Sequence, residues 1–313
     1  MGFETGANMN FDPAVTGQTN SHWLPEIFSK KVQVAFRKSS VVEAITNTDY
    51  TGEIAQYGDT VNIIKEPQIS IYDYTRHGSI TATDLTDEEL TMQIDQAKAF
   101  QFEVDDLEKR FSHVNWQQIA SDNAAYKLKD AMDTNVLDAM VAATGINTYG
   151  SVSAPIVTGH DSGETDPLDV LARLARQLDD QNVPEENRWV VAAPSFYEEL
   201  AKTNSKLLSI DYNAGQGSLR NGLVASGALR GFQMYKSNNT PTATGTGSYT
   251  GTTLPLVIAG HMSSTATAQA LSTIETVRST TSFVDVVRGL LVWGRKVLRP
   301  EGIAVAYTTD TAA

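Results

Sequence analysis

The spacing of hydrophobic positions changes several times along the chain, and each spacing predicts a different element. Residues 1–20 are polar without a hydrophobic period, which is typical of a flexible arm. Between residues 22 and 42 apolar side chains, among them Trp23 and Phe28, recur at roughly helical spacing, with Pro25 suited to a first turn. This segment has few apolar neighbours in sequence, so we expect it to lie against another part of the fold or another subunit.

The stretch 53–104 alternates between apolar and polar residues, as strands do. The alternating positions are Val61, Ile63, Ile69, Ile71, Leu90, Met92, Ile94, Phe100, Phe102 and Val104. Residues 72–89, which lie between the two sets, are polar and acidic. The pattern predicts a long antiparallel hairpin whose tip faces solvent or a partner. Two ordinary strands of a compact sheet are the alternative.

A long helix is predicted over residues 116–144, with Gly145 placed to end it. At about 1.5 Å per residue this helix would be about 43 Å long. Its apolar side chains occupy a broad arc instead of one narrow stripe. We therefore expect it to lie along a sheet with something else covering it.

From about Ser151 the pattern is that of an α/β lobe. Asp166 can cap a helix that opens at Pro167, and the short apolar runs 189–193 and 256–259 predict buried strands. Further along, residues 194–200 read as a helix and 237–253 as a low-complexity surface loop, while 263–281 is ambiguous. Strands follow over 283–293 and 303–307, with Gly289 and Gly294 suggesting turns or bulges.

Composition excludes several functional classes. The 313-residue chain contains no cysteine, which excludes disulfides, thiolate metal sites and cysteine catalysis, and its five histidines have no metal-type spacing. Its net charge of −13 argues against general nucleic-acid binding. Two basic clusters run against this trend and are either solvated faces or weak DNA contacts: Lys30, Lys31, Arg37 and Lys38, and Arg295, Lys296 and Arg299. Neither a signal peptide nor a membrane-spanning run is visible, so we expect a cytoplasmic origin and no membrane partner.

Motifs for catalysis or cofactor binding are missing from the sequence. The phosphate-binding loop, the zinc-protease helix and the serine nucleophile elbow do not occur. The acidic pairs Asp105–Asp106 and Asp179–Asp180 are better explained as helix-surface charges than as metal ligands, because a hard cation needs more oxygens. We therefore predict no catalytic residue, no metal and no cofactor, although a Ser/His/Asp site assembled from distant residues stays open.

Extended segments such as the predicted arm and hairpin are unfavourable in a monomer, because they expose apolar surface with no core beneath them. Their order here resembles the major capsid protein of tailed bacteriophages, which has the α+β Hong Kong-type capsid fold. The stretches that resemble the family are Trp23–Phe28, Gly58–Val61, Ile94–Lys98, Val287–Leu290 and Arg299–Glu301. Taken together, the resemblance covers roughly residues 22–307.

The resemblance implies a division of the chain into family domains. These would be an N-terminal arm (1–36), a peripheral domain whose parts are 37–52, 105–149 with the spine helix, and 283–313, an extended hairpin loop (53–104) and an inserted axial domain (150–282). The arm and the hairpin would reach across neighbouring subunits. Loop 205–222 would make the innermost contacts around the pentamer and hexamer axes.

It further implies a shell of pentamers and hexamers around the DNA genome, located in the virion capsid and assembled in the host bacterial cytoplasm. Because the chain starts almost at the arm, we expect either a separate scaffolding protein or a sequence that is the processed form. The other expected partners are a portal, a decoration protein where shells are decorated, and packaged DNA through weak contact. The predicted intersubunit contacts are Trp23, Phe28, Arg76, Asp84, Asp87, Glu88, Glu89, Tyr212 and Arg220. The alternatives are a cellular nanocompartment shell and an α/β enzyme with its site in residues 165–282.

Overall fold

The computed structural model describes residues 40–52, 60–65, 69, 71–73, 76–77, 88–106, 116–202 and 229–310. In chain order the elements are α1 (Val42–Ile45), β1 (Thr60–Lys65), β2 (Glu88–Gln93), β3 (Gln96–Asp105), α2 (Trp116–Val141), β4 (Asn147–Tyr149), β5 (Ile156–Val157), α3 (Pro167–Asp180), β6 (Arg188–Ala192), α4 (Pro194–Ala201), β7 (Gln233–Lys236), β8 (Thr242–Thr244), β9 (Thr253–His261), β10 (Thr265–Arg278), β11 (Val284–Val297) and β12 (Ile303–Thr309). Short 3-10 turns cover Asp49–Gly52, Gly247–Tyr249, Met262–Ser264 and Pro300–Gly302.

A seven-stranded mixed sheet, packed between α2 on one face and α3 and α4 on the other, forms the centre of the main lobe. Its strands follow the order β4-β12-β9-β6-β7, with β5 paired to β12 and β8 paired to β9. One face packs on α3 and α4 through Val190, Ala192, Val257, Ala259, Ala304 and Ala306. The alternate residues Trp189, Val191, Leu256, Ile258, Ile303 and Val305 pack on α2. Burial on both faces explains why these strands read as continuous apolar runs in the sequence.

The predicted helices and buried strands of this lobe are confirmed with small shifts of their ends. The Asp166 carboxylate accepts a hydrogen bond from the backbone N–H of Leu168 at 2.9 Å and so caps α3. The buried side of α3 carries Leu168, Val170, Leu171, Leu174 and Leu178. A polar cap before a leucine stripe is a local signal, so this helix could be recognised from its own residues.

The long helix α2 ends at Val141, three residues before the predicted end, and Gly145 follows in the next turn with a φ of +89°. Its 26 residues give a length of about 39 Å. The second half buries Met132, Val136, Leu137 and Met140 against the seven-stranded sheet. The helix also reaches the three-stranded sheet of β3, β10 and β11, here called the outer sheet, since the indole N–H of Trp293 donates to the Asn135 side-chain oxygen at 3.2 Å. One helix thus contacts both the seven-stranded sheet and the outer sheet.

The alternating stretch forms two different sheets, and only its first part is the expected hairpin. Strands β1 and β2 pair antiparallel, with Val61 opposite Met92 and Ile63 opposite Leu90. Val61, Ile63 and Met92 pack in a small core that contains Ile94. The prediction that Phe100, Phe102 and Val104 continue the hairpin is wrong, because β3 pairs with β11 in a separate three-stranded sheet of order β10-β11-β3. The chain changes sheets at Ile94 and Asp95.

The expected turns or bulges at Gly289 and Gly294 are also wrong, because β11 is one continuous strand of 14 residues and the irregularity in its pairing with β10 lies between Gln269 and Leu271. Both glycines make room for a close approach. A Cβ on Gly289 would collide with the Phe100 ring, and a Cβ on Gly294 would lie 2.8 Å from the carbonyl oxygen of Gln93 in the hairpin. The ambiguous segment 263–281 is mainly β10, which pairs with β11. Glycine here permits packing without bending the chain.

The sheets do not follow the domain boundaries that the resemblance implies. β10 falls within 150–282, yet it pairs with β11. β12 belongs to the expected return segment, yet it lies inside the seven-stranded sheet beside β9. The division of the chain into family domains therefore stays a prediction.

The low-complexity segment 237–253 is not wholly a surface loop, because its first residues are buried. Ser237, Asn239 and Thr240 are all nearly inaccessible. The Asn239 amide donates to the Asp133 carboxylate at 3.2 Å. The other Asp133 oxygen accepts from the backbone N–H groups of Val41 and Val42, each at 3.0 Å. A buried carboxylate on α2 therefore joins the start of the described chain to this loop.

Candidate assembly surface

Exposed apolar side chains concentrate on the hairpin. Ile64 is 77% exposed, Ile69 76%, Ile71 96% and Tyr72 53%. Ile64 leaves β1 on the face opposite Val61 and Ile63, so it cannot join the small core beneath the hairpin. Several large apolar side chains exposed along one element are typical of a surface that another molecule covers.

A second apolar area lies on the outer face of the three-stranded sheet. Val277 and Leu290 are partly exposed there, beside an ion pair between Arg288 and Glu275. A depression of about 520 Å³ runs over this face and is lined by Ala99, Gln101, Glu275, Arg288 and Leu290, among others. The mixture of apolar and charged groups is what a protein–protein interface requires.

The tip between β10 and β11 presents Phe283, whose side chain is 81% exposed. Arg278 stiffens this tip, because its guanidinium donates to Asp285 at 3.0 Å and to Asp106 at 2.7 Å. Both hydrogen bonds raise the pKa of Arg278, and the bond to Asp106 has the larger effect. The groups are exposed, so their role is to position the tip more than to stabilise the fold.

Of the nine predicted contact residues, Arg76, Glu88 and Glu89 lie in the described part of the chain. Arg76 is exposed in a turn next to His77, and Glu89 is exposed on β2 opposite Ile64. Glu88 starts β2 and is opposite Lys65 in the register. Trp23, Phe28, Asp84, Asp87, Tyr212 and Arg220 lie outside the described residues. Within the described part, Arg76 and Glu89 belong to the same element as the exposed isoleucines.

Sequence reasoning missed the outer sheet face and the tip. Leu290 lies in an apolar run that looks like a buried strand, so nothing local marks it as partly exposed. Phe283 did carry a signal, since it follows the polar run Ser279–Ser282 at the turn. A single aromatic residue in a polar turn is a useful indication of a contact site.

Ionisable groups in the described part of the chain have structural roles. His160 Nε2 is 2.9 Å from the Glu199 carbonyl oxygen, and its Nδ1 is 3.8 Å from Asp166. His261 accepts from the N–H of Ser263 and caps the turn that follows β9, while burial lowers its pKa. Burial raises the pKa of Tyr197 to about 12. His261 Nδ1 also lies 2.8 Å from the Ser263 hydroxyl, which belongs to the same turn.

The acidic pairs named from the sequence lie on different elements. Asp179 and Asp180 are on α3 as expected, and Asp179 pairs with Arg188 at 2.7 Å. Asp105 is instead the last residue of β3, and Asp106 after it pairs with Arg278. No group of three metal-ligating side chains occurs in the ranges described above. Across those same ranges, no helix has the length and hydrophobicity needed to cross a membrane.

No family model and no curated protein matches the sequence. Solved structures do. A chain from Mycobacterium phage Che8 is 26% identical with a TM-score of 0.76, over 94% of this chain and 99% of that chain. The capsid structure of the cyanophage P-SCSP1u gives 19% identity and a TM-score of 0.73, over 96% and 100%. The capsid of a native GTA particle gives 12% and 0.65, over 96% and 99%.

These similarities define the class of protein to which the fold belongs. The chain has the Hong Kong-type capsid fold that the sequence predicts, and the resemblance to the tailed-phage major capsid protein is confirmed. The match covers nearly the full length of this chain and of both phage chains.

Proposed function

We propose that this protein is the major capsid protein of a tailed phage, a structural subunit whose many copies close an icosahedral shell around DNA. The observation that carries the proposal is the end-to-end similarity to capsid structures. The exposed apolar groups on the hairpin, the outer sheet face and the tip support it, because a neighbouring copy would cover them.

In this proposal the shell consists of hexamers and pentamers, and the protein acts as their building block and not as a catalyst. Arm 1–36 and the hairpin, whose paired strands are β1 and β2, contact neighbouring subunits through Trp23, Phe28, Arg76 and the acidic residues Asp84, Asp87, Glu88 and Glu89. Tyr212 and Arg220, in loop 205–222, contact neighbouring copies near the capsomer axis. Each contact is modest in strength, and closure of the shell multiplies it.

The proposed partners are a separate scaffolding protein, a portal, a decoration protein where shells are decorated, and packaged DNA. Assembly takes place in the host bacterial cytoplasm and the product is the virion capsid. Electron microscopy of the purified protein, expressed with and without its neighbouring genes, tests this. Closed shells or capsomer rings support the proposal, while uniform monomers at high concentration with scaffold present contradict it.

Replacing Ile71 by glutamate is expected to prevent shell formation without unfolding the subunit. Since the side chain is 96% exposed, the fold should change by no more than about 0.5 kcal/mol. In a closed interface the same change buries an unpaired charge, which costs several kcal/mol at every contact. Sedimentation velocity and negative-stain microscopy measure the product.

Ile71→Leu is the matched control, since it keeps an apolar group of the same size and should assemble normally. Shells of normal yield from Ile71→Glu would mean that this part of the hairpin is not buried between subunits.

The acidic residues of the hairpin are expected to make early assembly sensitive to salt. Neutralising Asp84, Asp87, Glu88 and Glu89 to their amides should slow assembly at low ionic strength and flatten its salt dependence, because attraction to basic groups of a neighbour is lost. Light scattering over a series of sodium chloride concentrations follows the rate. Unchanged shell formation after deletion of residues 74–88 would show that these charges serve solubility alone.

A further inference from the structure

The tip between β10 and β11 presents an aromatic side chain on a turn that its own hydrogen bonds hold in place. Phe283 is 81% exposed. Its carbonyl oxygen accepts from the N–H of Asp106 at 3.2 Å, and the carbonyl oxygen of Val284 accepts from the N–H of Ser279 at 3.1 Å. The Ser279 hydroxyl in turn accepts from the N–H of Thr281 at 3.3 Å. Because the turn is already ordered, little conformational freedom is lost when a partner covers the phenylalanine ring.

The depression on the outer sheet has the chemistry that accepts an aromatic ring. Its volume is about 520 Å³. Ala99 is exposed and Leu290 is partly exposed in its lining, and both offer apolar surface. Arg288, which is paired with Glu275, lines the same depression. A guanidinium beside apolar surface attracts the face of an aromatic ring, so an exposed phenylalanine would find both packing and a cation here.

The tip is too far from the depression of its own chain to enter it. Phe283 directly precedes β11, whereas Arg288 and Leu290 lie five and seven positions further along this strand. At about 3.3 Å per residue, these positions are about 17 Å and about 23 Å from Phe283. The tip cannot bend back over the sheet either, because β10 and β11 stay paired as far as Arg278 and Asp285. A tip that fills the depression must therefore come from a second copy.

We propose that Phe283 of one copy occupies the depression on the outer sheet of a second copy. The ring packs on Ala99 and Leu290 and lies against the Arg288 guanidinium. Since the tip and the depression are different patches of one surface, the contact can repeat from copy to copy, as it does in rings and closed assemblies. This contact rests on the proposed function, because it is one of those that join subunits in the shell.

The chain contains no cysteine, so a single engineered disulfide can trap the contact. Ser282→Cys places a thiol on the tip and keeps Phe283, and Ala99→Cys places one in the depression. The two variants are mixed under reducing conditions, assembled and then oxidised. A disulfide needs Cα atoms within about 7 Å of each other, so the mixture should give covalent dimers whose tryptic peptides join positions 282 and 99.

Two controls show whether the trapped contact is specific. Ser282→Cys mixed with Glu185→Cys should give no such dimer, because Glu185 is also exposed but lies before β6 in the main lobe. Adding Phe283→Ser to the Ser282→Cys variant should lower the yield of the 282–99 dimer at least about tenfold, since the anchoring ring is lost. The same substitution should leave the urea midpoint of the unassembled subunit unchanged, because the ring is exposed there.

Negative-stain microscopy of the wild type in the same buffer separates this contact from the proposed function. Shells without a 282–99 disulfide overturn the contact and leave the proposed function standing. A disulfide between Ile71→Cys and Ala99→Cys subunits, with none from position 282, would assign the depression to the hairpin of a neighbour and would also overturn it. Failure of the wild type to associate under any condition overturns both.

Discussion

Asp133→Ala is expected to be among the most destabilising single substitutions in this protein. The Asp133 carboxylate is 1% exposed and accepts from the Ser40 hydroxyl and the N–H groups of Val41 and Val42, each at 3.0 Å. Its second oxygen accepts from the Asn239 amide. Alanine leaves the N–H groups of Val41 and Val42 buried without the carboxylate, whereas the Asn239 amide keeps its bond to Asp130 and Ser40 is exposed. The free energy of unfolding should fall by about 3–5 kcal/mol.

Urea denaturation of the unassembled subunit, followed by tryptophan fluorescence, measures this loss. Asp133→Asn should cost less, about 1–2 kcal/mol, because one side-chain oxygen still accepts while the amide meets the amide of Asn239. Asp138→Ala is the matched control on the same helix, since Asp138 is exposed and its loss should change stability by less than about 0.5 kcal/mol. Equal effects at positions 133 and 138 would contradict the structural role of Asp133.

Hydrogen–deuterium exchange of the same variant shows where in the fold the stability is lost. Because Asp133 holds the segment before α1, backbone amides from Val41 to Thr46 should exchange with deuterium faster in Asp133→Ala. Amides of β6 and β9, in the centre of the seven-stranded sheet, should keep most of their protection. Uniform loss of protection would mean that Asp133 supports the whole fold and not this junction.

Gly260→Ala is expected to destabilise the central sheet, and a second substitution should partly restore it. Gly260 lies on β9 between Trp189 and Ile303. A Cβ there would be 2.8 Å from the Trp189 ring and 3.2 Å from the carbonyl oxygen of Gly302. Since Trp189 is buried and cannot move away, the cost should be about 1–3 kcal/mol.

Trp189→Phe removes the ring atoms that obstruct the new methyl group. The indole N–H has no hydrogen-bond partner, so phenylalanine loses only packing. In a double-mutant cycle the two substitutions should show a favourable coupling of about 1–2 kcal/mol. Strict additivity would show that the methyl group does not meet the ring.

A glycine on the outer sheet provides the comparison. A Cβ on Gly289 would meet the Phe100 ring, which is only partly buried and can rotate. Gly289→Ala should therefore destabilise less than Gly260→Ala, although both glycines lie inside strands. Denaturation midpoints of the two single variants show whether a methyl group beside the rotatable Phe100 ring costs less than one beside the fixed Trp189 ring.

Elements with strong local signals could be predicted from the sequence alone. The capped helix α3, the apolar strands β6 and β9, and the long helix α2 are all where their own residues place them. The order of these elements was enough to suggest the capsid fold. Local signals suffice here because caps, breakers and hydrophobic periods act within a few residues.

Pairing between distant segments was decided only by the tertiary structure. The alternating residues of β3 fit a hairpin with β1 as well as a ladder with β11, because alternation gives a buried face and no partner. Gly289 and Gly294 looked like breaks, since the sequence does not show the Phe100 ring or the Gln93 carbonyl that require them. Likewise, Asp133 reads as an ordinary helix-surface acid until the fold brings Val41, Val42 and Asn239 to it across 92, 91 and 106 positions of sequence.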